Sequence, residues 1–287
     1  MSPRRLQQTL LLVLGFSLVL SACNRIGLAY RHLDALVPWW VDGYVELDHQ
    51  QKRWFDQRLA EHLDWHCRTQ LPTYIDWLDQ ADRVLQSGQT DSAQVAEQLA
   101  ALSDAQQRVA QQVSPTLVEL LRGLDPRQVA DLQASVEEKH QELREKYLAP
   151  VLPEQIRQRQ LRLEKRLSPW LGELNPQQLA RIRAWSVAQG EQNRLWLEDR
   201  ARWQAELFAA LEQRHSAAFA PQVRRLLQQP ETLRDTTYRE AFERSQQALV
   251  ALLGDLLSSA EPDQRRHLRN RLREVREEFS EQRCTTA

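Results

Sequence analysis

Apolar side chains recur along this chain every three to four residues. From Phe55 they run Phe55, Leu59, Leu63, Cys67, Leu71, Ile75 and Leu78. That spacing keeps one helix face apolar, so it predicts a buried helical stripe with Cys67 on it. Pro72, which lacks an N–H and crowds the preceding turn, predicts a kink there or the start of a second helix. Val129, Leu132, Val136, Leu143 and Tyr147 form another stripe. Ile156, Leu163, Leu167 and Trp170 form a third, and Leu268, Leu272, Val275 and Phe279 a fourth. Glu, Arg and Gln fill the opposite faces, as on solvated helix surfaces. Alternating strand patterns and Gly-rich hairpin turns are almost absent. Breaks are expected at Ser87-Gly88, Gly123, Ala149 to Pro153, Ser168-Pro169, Gln229-Pro230 and Glu261-Pro262. The pattern predicts an all-α fold, an irregular multi-helix bundle of about seven to nine long amphipathic helices in pairs.

A second pattern marks where helices begin. It reads Leu, a capping residue, two variable positions, then Gln. Copies lie at Leu47-Asp48-His49-Gln50-Gln51, Leu102-Ser103-Asp104-Ala105-Gln106, Leu124-Asp125-Pro126-Arg127-Gln128 and Leu174-Asn175-Pro176-Gln177-Gln178. A weaker copy is Ala260-Glu261-Pro262-Asp263-Gln264. Asp, Ser or Asn at the cap accepts an unpaired N–H, Gln three residues on reaches back to the cap's own N–H, and the preceding Leu acts as a staple. Pro at the first helical position loses nothing, because that N–H has no partner there. The four Leu copies start 55, 22 and 50 residues apart, so they do not build a solenoid.

The N-terminus departs from the helical pattern. Arg4 and Arg5 precede an apolar run from Leu10 to Leu20, and Leu20-Ser21-Ala22-Cys23 follows. The run falls short of the roughly 20 apolar residues a membrane span needs. These are the parts of an export signal, and the end resembles the bacterial lipobox. Residues 1–22 are therefore expected as a cleaved lipoprotein signal peptide, Cys23 as the lipidated residue and palmitate among its acyl chains. Several chains on one residue make a stable anchor, at about 0.8 kcal/mol per buried methylene. Asn24 in place of Asp implies, by resemblance to lipoprotein sorting, the outer membrane. Residues 23–46 are expected as a lipidated, Trp-containing tether and 47–287 as a helical domain, with a sub-boundary near 123.

Charge and cysteine count narrow the chemistry. Without Arg4 and Arg5 the chain has 36 basic and 39 acidic residues, which is no nucleic-acid footprint. Cys67 and Cys284 remain as an even pair in an oxidising compartment, so a disulfide between them is expected, with two separate thiols as the alternative.

Two resemblances follow from these motifs. The helix-start pattern resembles the Leu-Thr-x-x-Gln signature of small periplasmic chaperones of the Spy and CpxP type, although no copy here has Thr. The stretch from Leu20 to Leu78, with Ala29-Tyr30-Arg31, Val37-Pro38-Trp39-Trp40-Val41-Asp42, Leu59 to Cys67 and Tyr74-Ile75-Asp76-Trp77-Leu78, is similar to an uncharacterised family of Gram-negative lipoproteins. That likeness implies an envelope location and no particular activity.

Candidate chemistry concentrates between Tyr30 and Trp77. Trp39, Trp40, Trp54, Trp65 and Trp77 are interleaved there with acids. Trp39, Trp40, Asp42, Trp54, Trp65 and His66 are the candidate ligand or partner surface, against a Trp-rich core or a membrane-interface role. His62 and His66, at i and i+4, share a helix face and are the weak candidates for a metal, with His49, Glu61 or Cys67 as a third ligand. Leu63 stands where a metalloprotease helix would carry Glu, so no metal site is assigned. A stripe after Pro176 runs Leu179, Ile182, Trp185, then Gln189 and Asn193, then Trp196, Trp203 and Leu207. Its polar pair is expected to face water, set helix register or line a cleft. No nucleophile elbow, Walker loop or Rossmann glycine fingerprint is present, and no cofactor is implied. The sequence favours a non-enzymatic, lipid-anchored binding or scaffolding role toward an envelope protein. The alternatives are a holdase-like periplasmic chaperone and a peptidoglycan-acting enzyme with a cleft of acids beside Trp39, Trp40 and Trp54.

Overall fold

A computed structural model describes residues 26–88 and 90–284. The expected signal peptide, Cys23 and Asn24 lie outside the described residues.

The described residues are all-α, with no strand among them. In chain order the helices are α1 (Ile26–Arg31), α2 (Leu33–Asp42), α3 (His49–Trp65), α4 (Leu71–Ser87), α5 (Ser92–Arg122) and α6 (Pro126–Leu148). Then come α7 (Leu152–Leu171), α8 (Pro176–Ala188), α9 (Gln192–Glu212), α10 (Phe219–Gln228), α11 (Thr236–Ser258) and α12 (Pro262–Ser280). A π turn, His66–Gln70, joins α3 to α4, and a 3₁₀ turn, Pro230–Leu233, precedes α11. The helices outnumber the expectation because short ones form where periodicity is weak, and because the stripe after Pro176 is cut in two.

Helix α5 is the spine. Its 31 residues span about 46 Å at 1.5 Å each. Its start packs on α11 and its end on α10 and α3. A Cβ on Gly254 of α11 would lie 3.0 Å from the Ser92 backbone, so only glycine lets α11 cross the start of α5 this closely. One core, with Val45, Leu47, Phe55, Leu124, Leu132, Leu211 and Phe219, lies among α3, α5, α6, α9 and α10. Gly123 is an exposed turn at the edge of that core, with Leu120 and Leu124 on either side of it packed inward. A second core gathers Leu171, Leu174, Ile182, Leu252 and Leu256. A third, smaller one sets Leu78 of α4 against Leu272 and Val275 of α12. Arg269–Asp82 at 2.7 Å and Arg276–Asp79 at 2.6 Å flank that α4–α12 seam.

Four of the five expected helix starts are observed, at Asp48, Asp125, Asn175 and Glu261. Each of these boxes has its glutamine bonded back to the cap N–H. The Ser103 copy is not a helix start; it lies inside α5. The preceding residues are already helical, so no unpaired N–H exists there to cap. The real start is Asp91, whose extended backbone follows the Gly88 turn and whose partner is Gln94. Thr90 stands where the pattern asks for Leu, which hid this copy. The expected break at Ser168-Pro169 comes later: α7 runs through Pro169 and stops at Gly172, whose φ of 74° suits glycine.

The boxes also meet in space, in two pairs. Gln51 and Gln128 hydrogen-bond to each other through both amides, at 3.0 and 2.7 Å. Gln51 further donates to the Gly123 carbonyl and Gln128 to that of Glu46. Gln178 and Gln264 repeat the reciprocal pair at 3.0 and 2.9 Å, and Gln264 donates to the Glu173 carbonyl. A local capping device therefore doubles as a tertiary clamp between the starts of α3 and α6, and between those of α8 and α12.

Candidate functional site

The candidate residues between Tyr30 and Trp77 fall into two groups, one turned inward and one outward. The inward group forms around the π turn. Pro72 has no N–H to give to the carbonyl four residues back, and its ring would crowd that carbonyl. The helix widens by one residue just before it, and the Leu71 N–H bonds to the His66 carbonyl instead. Thr69 and Thr73 hydroxyls donate to the Trp65 and Gln70 carbonyls, satisfying groups the widened turn leaves open. The expected single stripe thus survives as α3, a π turn and α4, and π turns of this kind recur at functional sites.

The wide turn aims His66 between two tyrosines. Its Nδ1 lies 3.0 Å from Tyr30 Oη of α1, and its Nε2 lies 3.1 Å from Tyr74 Oη of α4. A neutral imidazole donates from one nitrogen and accepts at the other, so it fits between two hydroxyls without a charge. Burial pushes the His66 imidazole below its usual range and holds it in that form. Burial also raises the Tyr30 hydroxyl to about 12, helped by Tyr74 beside it. Trp65 packs edge-on to His66, and Phe279 of α12 lies against Tyr74. Cys67, one residue on, is buried and joined by a disulfide to Cys284, just past the end of α12, with 5.5 Å between the Cα atoms.

His62 and His66 do not converge. His62 Nε2 bonds to Thr116 Oγ1 of α5 at 2.7 Å, while both nitrogens of His66 are used by tyrosines. Glu61 pairs with Arg58, His49 is exposed at the helix start, and Cys67 is in its disulfide. Among the described residues, no group of three or more His, Cys, Asp or Glu is arranged to hold a metal ion.

The outward group lies on α2. Residues 26–42, expected as part of a tether, are helical and packed on the domain. Val37 and Val41 turn inward to the first core. The other face leaves Leu36, Trp39 and Trp40 at 44, 42 and 38% exposure. Trp54 is half-buried against the same core and belongs to it. Helix α1 is fastened as well. The Gly27 N–H donates to Glu278 Oε2 of α12 at 3.0 Å, beside the Tyr30–His66 bond.

Asp42, at the end of α2, pairs with Lys52 at 3.2 Å. It also borders a shallow groove of about 310 Å³ with Glu46, Asp131 and Glu138. Trp39, Trp40 and Trp54 do not line that groove, although Trp40 packs edge-on to Tyr44, which does. The polar pair after Pro176 is also separated. Gly190, with φ of 47°, splits the stripe into α8 and α9. Gln189 ends α8, while Asn193 is buried and bonds to Arg159, Gln155 and the Tyr147 carbonyl. Arg159 is buried with it and donates to the Ser186 and Gly190 carbonyls, the negative end of α8. This network ties the turn between α8 and α9 to α6 and α7.

Sequence reasoning missed Tyr30, Tyr74 and Glu278. Tyr30 and Tyr74 both stand within the stretch that carries the family likeness, the one signal available. Nothing in spacing brings residue 30 to residue 66, or residue 27 to residue 278. Among the described residues, no helix is long and apolar enough to cross a membrane.

The chain belongs to a family of unknown function (DUF6279), whose family pattern matches residues 43–239. The match begins after α2 and ends before α12, so it takes in Cys67 and leaves out Cys23, Trp39, Trp40 and Cys284. No curated protein and no solved structure matches the chain.

Proposed function

We propose that this protein is a lipid-anchored, non-enzymatic binding or scaffolding protein of the bacterial envelope, held against the membrane by acyl chains on Cys23. The observation that carries the reading is the small number of residues between Cys23 and the body. Gly27 is hydrogen-bonded to α12, and Cys23 precedes it by four residues, a reach of at most about 14 Å. A lipid on Cys23 then holds the domain closely instead of on a loose leash. The Leu20-Ser21-Ala22-Cys23 sequence after an apolar run supports the anchor. The Cys67–Cys284 disulfide supports a thiol-oxidising compartment. Asn24 favours the outer membrane over the inner one. Within this reading the Leu36, Trp39 and Trp40 face of α2 rests in the headgroup zone, where indole is favoured, and orients the domain. The test is labelling in cells with radioactive palmitate. The label enters the native chain, which fractionates with membranes, and Cys23→Ser abolishes both; a native chain that takes up no label refutes the reading.

A further inference from the structure

A second cleft, of about 320 Å³, opens between α9, the 3₁₀ turn and the start of α11. That volume falls at the low end of small-ligand sites. Trp196, Trp203, Tyr238 and Phe242 supply its aromatic walls, and Arg200 and Arg234 enter it. The walls are held from behind. Trp203 Nε1 donates to the Leu226 carbonyl at 3.0 Å, and Trp196 packs edge-on to Tyr147.

The charges in the cleft do not cancel. Its one acid, Asp199, pairs with Arg202 at 3.4 Å, and Arg202 also pairs with Asp235 at 2.8 Å. Burial pushes the Asp199 carboxyl above its usual range, against the lowering effect of Arg202 and Arg234. Among the described residues, neither Arg200 nor Arg234 forms an ion pair; Arg200 lies near Tyr44 and Arg234 near Asp199, and each has a buried Nε–H with no hydrogen-bond partner. Arg234 instead lies 4.1 Å from the centre of the Phe242 ring. A guanidinium presents a planar fork of donors that matches a carboxylate, and a buried donor without a partner calls for an explanation.

We infer that this cleft binds a small organic carboxylate carried on a ring, the ring lying on the Trp196, Trp203 and Tyr238 faces and the carboxylate meeting Arg234. The ring can be aromatic or a sugar, since both offer a flat face to indole. The inference concerns α9 and α11 and does not depend on the lipid anchor.

Calorimetry and ligand-observed NMR on the purified full chain test it with two acids and their neutral counterparts: benzoate against benzamide, and N-acetylmuramic acid against N-acetylglucosamine. At least one acid should bind at least tenfold more tightly than its counterpart, and which one binds names the ring. Arg234→Gln should weaken that acid at least fivefold with the thermal midpoint little changed. If the variant fails to fold, the native chain still decides, because affinity for the acid must fall with added salt. Absence of binding at millimolar acid, equal binding of acid and neutral compound, affinity indifferent to salt, or a folded variant that binds like the native chain would each overturn the proposal.

Discussion

The two clamped pairs of helix starts use the same chemistry in different surroundings. At Gln51–Gln128 only Gln128 is buried, and Gln51 is half-exposed at the rim of the first core. At Gln178–Gln264 both are buried, Gln178 completely. The caps differ too. Two Asp residues begin α3 and α6, whereas Asn175 and Glu261 begin α8 and α12 and bond to each other at 3.0 Å. Apolar residues before the caps, Leu47, Leu124, Leu174 and Ala260, are all buried. The difference teaches that the box supplies a direction and a partner, while burial decides what the pairing is worth. The pairs are also linked at their far ends. Helix α3 starts at the first clamp and α12 at the second, and the Cys67–Cys284 disulfide joins the residues that follow them.

Breaking that link should have the largest effect. The cysteines are 217 residues apart, and closing so long a loop constrains the unfolded chain by about 5 kcal/mol in the entropic model, often less in practice. Cys67→Ser with Cys284→Ser should lower the urea midpoint and loosen α12 first, seen as faster amide exchange there than in α6. Equal exchange changes in both helices would sever the proposed link between the clamps. Next in size is Gln178→Ala, which leaves the buried Gln264 amide without its partner and should cost about 2–3 kcal/mol. Gln51→Ala removes the same bonds where water can replace them and should cost about 1 kcal/mol. Denaturant unfolding of the two variants sharpens the comparison, and a larger loss for Gln51→Ala would reverse it.

Acid should also act on the first clamp's helices. His62 of α3, His66 after it and His140 of α6 are all pushed below 6.5 by burial. A lowered folded value means the unfolded chain binds protons first. The stability these groups contribute is therefore complete above about pH 6.5 and is lost as pH falls through their folded values. Amide exchange at pH 5 against pH 7.5 should show α3 loosening before α8, and the reverse order would count against this placement.

Much of this was legible in the sequence. Spacings of three and four revealed the all-α class because solvated and buried faces alternate at the helical period. Asp48, Asp125, Asn175 and Glu261 were readable because a cap acts within four residues. That Gln51 would meet Gln128, or Gln178 meet Gln264, was not readable, since contacts 77 and 86 residues apart leave no local periodicity. The candidate surface was readable as a dense run of Trp, but composition could not tell Trp54, which packs into the core, from Trp39 and Trp40, which do not. The α9–α11 cleft was hidden for a related reason. Arg234 looks like any other arginine on a solvated face until Tyr238 and Phe242 pack against it.

The central proposal is that the domain is held close to the membrane, with α2 facing it. Depth-dependent quenching tests this most directly, with the lipidated native chain in vesicles whose lipids carry a quencher near the headgroup or near the bilayer centre. The headgroup quencher should reduce tryptophan emission more than the deep one, and Trp39→Phe with Trp40→Phe should remove that difference. Emission indifferent to both quenchers, or a difference that persists without Trp39 and Trp40, would contradict it.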